Sequence, residues 1–317
     1  MTEPAQIFTL FGVDGYPFGL CVAIAVLLAT GLLCLLWKNR GHSPAMGLRF
    51  TLYAIPLTLL FARLGYVAVR LRFLAVDYVP GFWYRLPLGG YSLAGGFVGL
   101  MLAGWLFARI SGQCTAKVLD LAAPAALLVL ACIRLAEAFT LDGVGLYVEN
   151  EALWHFPFAV ANPYGEYVLP VFFYEAVVAV LLCLVALRSL RSGRLQTGDV
   201  ARTATLLLGL TQILLESLRA DDYLRFGFVR VNQLWGALLA GYVLAVWLRR
   251  FQPTRARRGI TVAVYLLCIG VMIAVEFGRD KSTIPNEILY AAMALALLVI
   301  GIISVALRSA RARGSQV

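Results

Sequence analysis

The chain has 317 residues, of which 61% are hydrophobic and only 14% are charged, compared with roughly 25% charged residues in an average soluble domain. Its apolar runs approach the roughly 20 residues that cross a bilayer as a helix, so the composition excludes an ordinary soluble enzyme and predicts an all-α, polytopic membrane helix bundle. The net charge is +10, but the basic residues form short clusters between apolar runs, a pattern typical of membrane topology signals, and no nucleic-acid partner is expected.

About nine segments are long and apolar enough to predict membrane-spanning helices. The sixth is the weakest of them, because it is short and contains Gln212 and Glu216. The predicted spans are approximately 17–37, 48–69, 89–109, 117–139, 170–188, 203–219, 228–248, 259–277 and 287–308.

Basic residues are concentrated in every second loop between these spans. Loops rich in Lys and Arg usually remain in the cytoplasm, so the pattern predicts an outside N-terminus and a cytoplasmic C-terminus. The second outer loop is an exception, since Arg70, Arg72 and Arg85 lie in or beside it. The basic clusters lie at 38–40, 109–117, 188–202, 249–258 and 308–313.

Ionisable residues inside the predicted spans are the main functional signal, because each costs on the order of 3 kcal/mol at the centre of a bilayer. Arg134 and Glu137 are three residues apart, as are Glu216 and Arg219, so each pair shares a helix face. Either pair alone is equally compatible with an ion pair that fixes helix packing. Two guanidinium groups facing one cavity, however, favour a site that binds a lipid phosphate.

Three other ionisable residues have simpler interpretations. Glu276 lies near the outer end of the eighth predicted helix without an obvious partner, which suggests a carboxylate that reaches the membrane surface. His42 and His155 fall in predicted loops. Neither histidine is therefore expected to act as a buried general base.

A glycine-rich run between Gly89 and Gly99 opens the third predicted helix. Small residues of this kind allow two membrane helices to pack closely. They also allow a backbone to approach a bound headgroup, because no side chain intervenes. The spacing alone does not distinguish these two interpretations.

This run, Gly89-Gly90-x-Ser92-x-x-Gly95-Gly96-x-x-Gly99, resembles the glycine signature of the prolipoprotein diacylglyceryl transferases. These membrane enzymes transfer diacylglyceryl from phosphatidylglycerol to the lipobox cysteine of bacterial lipoproteins. Further motifs follow in the family's order, and the resemblance covers roughly residues 15–250. They are Arg63-Leu64-Gly65-Tyr66, Asp120-x-x-Ala123-Pro124, Arg134 followed by Phe139, Gly143 and Gly145, Tyr174-Glu175, Glu216-x-x-Arg219-x-x-Asp222, and Gln233.

The resemblance implies a seven-helix transferase-like domain at 1–250 and a two-helix membrane extension at 251–317, in the bacterial plasma (inner) membrane. It implies phosphatidylglycerol or a related phospholipid as one partner and the signal peptide of a prolipoprotein as another. No cofactor or metal is expected, because the sequence has no metal-ligand spacing and no nucleotide-binding glycine loop after a strand.

Four positions depart from the family pattern. Ala94 precedes the second Gly-Gly, where the family has a histidine. Glu137 replaces the family's asparagine, Gln212 replaces an arginine, and Phe172 replaces a glutamine.

Transfer to cysteine requires a thiolate and positive charge on the leaving phosphate. Because the family's histidine is absent, either Glu137 or Glu216 is expected to be catalytic and to handle the thiol proton. The residues expected to bind the phospholipid headgroup are Arg134, Arg219, Gly89, Gly90, Gly95, Gly96, Tyr66 and Gln212.

Three hypotheses about function remain open at this point. The first is a diverged diacylglyceryl transferase that acts on a lipoprotein cysteine or a related acceptor. The second is a catalytically silent accessory protein that binds phospholipid or lipoprotein, which the loss of the histidine at position 94 favours. The third is a small-molecule transporter, in which the paired charges would line the substrate path.

Overall fold

The structure is a computed structural model. The part of the chain that it describes contains nine α-helices and three short antiparallel pairs of strands. The described residues are 8–10, 13–76, 89–140, 142–162, 164–220, 224–226, 229–281 and 284–314. The helices are α1 Pro17–Lys38, α2 Ala45–Val76, α3 Leu93–Ser111, α4 Thr115–Ala136, α5 Val171–Ser192, α6 Asp199–Leu218, α7 Val231–Phe251, α8 Arg255–Lys281 and α9 Asn286–Gly314. The strand pairs are β1 Phe8–Leu10 with β2 Val13–Gly15, β3 Val160–Ala161 with β4 Tyr167–Val168, and β5 Arg225–Phe226 with β6 Val229–Arg230.

Each of the nine predicted helices is present, so the prediction of an all-α polytopic membrane protein is confirmed. Eight helices in the described part of the chain are long and apolar enough to cross a membrane. The remaining one is α6, which carries Arg202, Gln212 and Glu216. It is the helix that the sequence indicates to be the weakest span.

The chain divides into two compact units. Unit 1 comprises Met1–Ala204 and Leu218–Asn232, and unit 2 comprises Thr205–Ser217 and Gln233–Val317. Unit 2 therefore contains most of α6 together with α7, α8 and α9. The predicted domain boundary near residue 250 is based on where the family resemblance ends and not on compactness. It therefore remains a prediction.

In unit 1, the glycines of α3 allow its backbone to lie directly against α2. A Cβ atom at Gly95 would collide with the carbonyl oxygen of Phe61, and one at Gly99 would collide with that of Leu57. The spacing left two roles open for the glycine run. For Gly95 and Gly99 the contacts support close helix packing.

We expect Gly99→Ala to lower the thermal unfolding midpoint, because its methyl group would meet backbone and not a movable side chain. Overpacking of this kind costs about 1–3 kcal/mol. Gly31→Ala in α1 is the matched control, since a Cβ atom there has no neighbour within 4 Å. Thermal unfolding in detergent, monitored by tryptophan fluorescence, gives the midpoint of each variant. Equal midpoints for the two variants would contradict this packing.

One end of unit 1 gathers the basic loops predicted to be cytoplasmic. Arg40 in the α1–α2 loop donates from Nη2 to the carbonyl oxygen of Leu190 near the end of α5, at 2.8 Å. Lys117 near the start of α4 contacts Nε2 of His42 at 2.7 Å. These contacts place the loops that follow α1, α3 and α5 on the same side of the unit.

Asp120 of α4 completes this end by binding the start of α6. Its carboxylate accepts hydrogen bonds from the backbone nitrogens of Gly198, at 2.6 Å, and Ala201, at 2.8 Å. The first amides of a helix have no partner within the helix. Asp120 therefore caps α6 from a neighbouring helix, which explains a carboxylate inside a predicted span.

Orientation in the membrane remains a prediction that Cys114 can test. Cys114 is exposed and lies between α3 and α4, in a loop predicted to be cytoplasmic. In a chain whose other cysteines are replaced by alanine, we expect a membrane-impermeant maleimide to label Cys114 only after the membrane is permeabilised. Tyr164→Cys in a chain without other cysteines is the outside control, since Tyr164 is highly exposed. Labelling of Cys114 in intact cells would show that this loop lies outside the cell and that the predicted topology is inverted.

In unit 2, the two C-terminal helices share one hydrophobic core with α6 and α7. Each of the four helices contributes at least three buried residues, so the extension is packed into the unit along its length. These residues are Leu206, Leu210, Ile213, Ala240, Val243, Trp247, Cys268, Met272, Val275, Met293, Ala296, Leu297 and Ile300.

Candidate active site

Four buried charged residues form an arginine–glutamate cluster in unit 1: Arg134, Glu137, Glu175 and Arg219. Arg134 donates from Nη1 to Oε1 of Glu137 at 2.6 Å and from Nε to Oε2 of Glu175 at 3.0 Å. Arg219 donates from Nη1 to the same oxygen of Glu175 at 3.3 Å. Glu175 therefore links the two arginines that the sequence predicts to lie together.

The elements that carry these residues meet at one end of unit 1. Arg134 lies in the last turn of α4, and Glu137 begins the 3₁₀ turn Glu137–Phe139 that follows it. Glu175 lies in the second turn of α5, and Arg219 directly follows α6. Removing charges from water is expensive, so a buried ion pair is weak evidence for stability. A cluster of such charges in a membrane protein is a functional-site candidate.

One carboxylate oxygen in the cluster is left without a donor. Among the described residues, Oε2 of Glu137 has no hydrogen-bond partner although it is buried. It lies beside Gly143, whose φ is +71°, and a Cβ atom there would come within 2.6 Å of it. Position 143 thus needs glycine both for its backbone conformation and for the space that this oxygen occupies. A buried acceptor without a donor is costly unless a ligand or substrate supplies one.

Backbone pairing holds Arg219 in this position. Gly145 and Arg219 form an isolated antiparallel bridge, and the nitrogen of Ala220 donates to the carbonyl oxygen of Val144 at 3.1 Å. Arg230 then donates from Nη2 to the carbonyl oxygen of Arg219 at 2.7 Å. The glycine-containing segment after α4 therefore fixes the second arginine of the cluster.

A second group of predicted site residues surrounds the loop before α3. Gly89 and Gly90 have φ values of +67° and +82°, which favour glycine. Arg63 of α2 donates from Nη1 to both of their carbonyl oxygens. The ring of Tyr66 would lie 2.8 Å from a Cβ atom at Gly90. Arg63 thus organises this loop, although the sequence predicts no role for it in the site.

The start of α3 is fixed by Ser92, whose hydroxyl accepts from the backbone nitrogen of Gly95 at 3.2 Å. The guanidinium of Arg63 lies 5.5 Å from the ring centre of Tyr91. Partial burial raises the pKa of the Tyr91 hydroxyl, and the charge of Arg63 opposes that rise. Ala94, where the family pattern has a histidine, lies in the first turn of α3.

The predicted residues Gln212 and Glu216 lie in unit 2. Nε2 of Gln212 is 3.4 Å from Oε2 of Glu216, and both residues are buried, Glu216 to all but 1% of its surface. Nearby in the same unit, Gln233 donates from Nε2 to Oε1 of Glu276 at 2.6 Å. Glu276, for which the sequence indicates no obvious partner, therefore has one on α7.

Arg134 contacts Glu137 directly, and Glu175 joins Arg134 to Arg219. The ring of Tyr66 lies against Gly90 in the loop that also contains Gly89. Gly95 and Gly96 lie in the first turn of α3, which follows this loop. Gln212 pairs with Glu216. The binding of the phospholipid headgroup by the eight residues expected to bind it, and the catalytic role of Glu137 and Glu216, remain predictions. Asp222 lies outside the described residues. No group of three or more potential metal ligands occurs in the described part of the chain.

Sequence reasoning missed parts of the cluster. Glu175 was visible as an ionisable residue in a predicted span, but nothing indicated that it would join two arginines. Arg230 was not predicted to take part in the site. A charged residue inside a predicted span, here the seventh, is the signal that could have indicated it.

Comparison with known proteins identifies the family. The family model described as prolipoprotein diacylglyceryl transferase matches residues 5–248. The chain belongs to this family. The phosphatidylglycerol–prolipoprotein diacylglyceryl transferase of Enterococcus faecalis is 28% identical over 260 residues, which cover 78% of this chain and 90% of that protein. The enzyme of the same name from Bacillus cereus is 29% identical over 223 residues, covering 66% of this chain and 80% of the relative.

As a diacylglyceryl transferase family member, the chain is a multi-pass membrane protein with one addition. The family match ends at residue 248, near the end of α7. Helices α8 and α9 lie beyond it. They nevertheless pack in one core with α6 and α7, which the match includes.

Proposed function

We propose that the chain is a phosphatidylglycerol-dependent diacylglyceryl transferase that modifies the cysteine of a prolipoprotein. The observation that carries this proposal is the arginine–glutamate cluster. Its two buried guanidinium groups share Glu175, and Arg134 also binds Glu137, whose Oε2 has no hydrogen-bond partner among the described residues. The names of the relatives from E. faecalis and B. cereus support the same donor and acceptor. Family membership favours a transferase over a small-molecule transporter.

The reaction would form one bond and break one. The cysteine sulfur bonds to the terminal glycerol carbon of the diacylglyceryl group, and the bond from that carbon to the phosphate oxygen breaks. Glycerol phosphate leaves and carries the added negative charge. Two needs follow: positive charge at the leaving phosphate, and a base for the thiol proton.

Arg134 and Arg219 meet the first need. Both guanidinium groups are nearly excluded from water, where a charge acts more strongly on a neighbouring phosphate than it would in solvent. Their geometry suits phosphate oxygens. By resemblance, the headgroup site is completed within unit 1 by Tyr66 and by Gly89, Gly90, Gly95 and Gly96.

Glu137 meets the second need in this proposal. Its Oε2 is buried and has no donor among the described residues, so it can accept the thiol proton without first breaking a hydrogen bond. Glu137 would then take over the base function for which the family's histidine is suited and which Ala94 cannot supply. Glu216 is proposed, by resemblance, to assist in proton transfer.

The proposed setting is the bacterial inner membrane with the N-terminus outside. The cluster lies at the end of unit 1 opposite the basic loops. Arg134 is in the last turn of α4, Glu137 directly follows α4, and Glu175 is in the second turn of α5. In this orientation the cluster is near the outer surface, and the signal peptide of a prolipoprotein would approach it from that side.

A silent accessory protein is the second candidate, and the observation that favours it is Ala94. Such a protein would use the same arginines to bind phospholipid but would transfer nothing. It would share the fold and the cluster, so only activity distinguishes the two candidates.

The test is complementation in bacteria whose own diacylglyceryl transferase can be depleted. We expect the chain to restore both growth and lipoprotein maturation, with the E. faecalis transferase as positive control. If the chain reaches the membrane, binds phosphatidylglycerol after purification and restores neither, the proposal is overturned in favour of the accessory protein.

A further inference from the structure

The C-terminal extension makes polar contacts with the part of α6 that carries Glu216. We propose that Glu276 of α8 and Tyr290 of α9 are positioning residues for the part of α6 that carries Glu216. This inference rests on the proposed function for its catalytic consequence, but the contacts themselves all lie within unit 2.

Glu276 acts through Gln233. The side-chain nitrogen of Gln233 donates to Oε1 of Glu276 at 2.6 Å and lies 3.4 Å from the carbonyl oxygen of Ile213 in α6. A hydrogen bond to a carboxylate is short and strong. Because it fixes the amide orientation of Gln233, it also directs that nitrogen towards the backbone of α6.

Tyr290 of α9 supplies a second contact to the same turn. Its hydroxyl donates to the carbonyl oxygen of Ser217 at 3.4 Å. The last four carbonyls of a helix lack partners within the helix, and Ser217 is the next-to-last residue of α6. The extension therefore satisfies a backbone group directly beside Glu216.

Apolar packing makes these contacts rigid. Val275, next to Glu276, and Met293, one turn after Tyr290, are buried in the same core as Ile213 of α6. Because a close-packed core has few alternative arrangements, the two polar side chains are held at fixed distances from α6. Glu216 is thus positioned by helices that lie beyond the family match.

The experiment compares Glu276→Ala and Glu276→Gln with the wild-type chain, using two readouts. The first is amide hydrogen exchange of the segment 212–220 in detergent, which does not depend on activity. The second is kcat and KM for diacylglyceryl transfer. Glu287→Ala is the matched control, because Glu287 is an exposed carboxylate on the same extension.

We expect Glu276→Ala to accelerate exchange in the last turn of α6 at least fivefold and to lower kcat at least tenfold, with KM within twofold of wild type. Glu276→Gln retains an acceptor for Gln233 and should recover most of both losses. Gln233→Ala should reproduce both losses, because Gln233 carries the contact from Glu276 to α6.

Unchanged exchange in Glu276→Ala, or equal effects of Glu276→Ala and Glu287→Ala, overturns the inference whatever the activity. Faster exchange with unchanged kcat also overturns it, because positioning would then have no catalytic consequence. If the wild-type chain transfers nothing while exchange responds as expected, the proposed function fails and the structural role of the extension stands.

Discussion

Arg134→Ala should reduce diacylglyceryl transfer at least 100-fold. Arg134 is the side chain that contacts both Glu137 and Glu175, so its loss removes the proposed phosphate ligand and leaves two carboxylates less well neutralised. Breaking a buried pair by removing one partner costs about 3–5 kcal/mol. The measurement is the initial rate of transfer from labelled phosphatidylglycerol to a lipobox peptide.

Two controls separate lost chemistry from lost folding. Arg191→Ala removes an exposed arginine at the opposite end of unit 1 and should leave the rate within twofold of wild type. Arg134→Lys retains the charge but not the planar fork that binds two oxygens at once, so we expect a folded protein with an intermediate rate. A monodisperse Arg134→Ala protein that transfers at the wild-type rate would exclude Arg134 from phosphate binding.

Glu137→Gln should lower transfer by roughly 100-fold to 10,000-fold, the usual contribution of a general base. The amide can still accept a hydrogen bond from Arg134, so folding should change little. What it loses is a basic oxygen at the Oε2 position, which has no donor among the described residues. The measurement is kcat at saturating phosphatidylglycerol.

A restoration variant makes the test of Glu137 more specific. Glu137→Asn installs the family residue and should be as inactive as Glu137→Gln. Adding Ala94→His to Glu137→Asn returns both positions to the family pattern, and we expect it to recover at least tenfold in rate. Glu137→Gln activity within twofold of wild type would show that the proton goes elsewhere.

The helices were predictable because a membrane span needs an apolar run of about 20 residues, and eight of the nine described helices contain such a run. The ends differ by a few residues, as at α2, which extends to Val76 and not to residue 69. Helical hydrogen bonds continue beyond the hydrocarbon core, whereas the apolar run does not. Hydropathy therefore marks the span and not the full helix.

The residues of the site were easier to predict than their partners. Arg134, Glu137 and Arg219 were visible because a charge inside an apolar run is costly. Their connection through Glu175 was not, since Glu175 and Arg219 are separated by 44 positions. Gln233 and Glu276 are similarly 43 positions apart. Spacing along one helix defines a shared face, but it does not define which neighbouring helix that face meets.

The unbonded oxygen of Glu137 illustrates the same limit. The sequence suggests that Arg134 pairs with Glu137, because they are three residues apart on a helix. It does not reveal that only one of the two carboxylate oxygens takes part, or that Gly143 makes space for the other. That difference depends on the loop after α4, whose path is set by contacts with residues distant in sequence.

In the proposed mechanism, this chain transfers diacylglyceryl without the family's histidine. To test this, the purified wild-type chain is incubated with phosphatidylglycerol and a lipobox peptide containing one cysteine, and the mass of the peptide is then measured. We expect the mass of one diacylglyceryl group on the cysteine, with one glycerol phosphate released for each modified peptide. An unmodified peptide, under conditions in which the E. faecalis transferase modifies it, would contradict the claim.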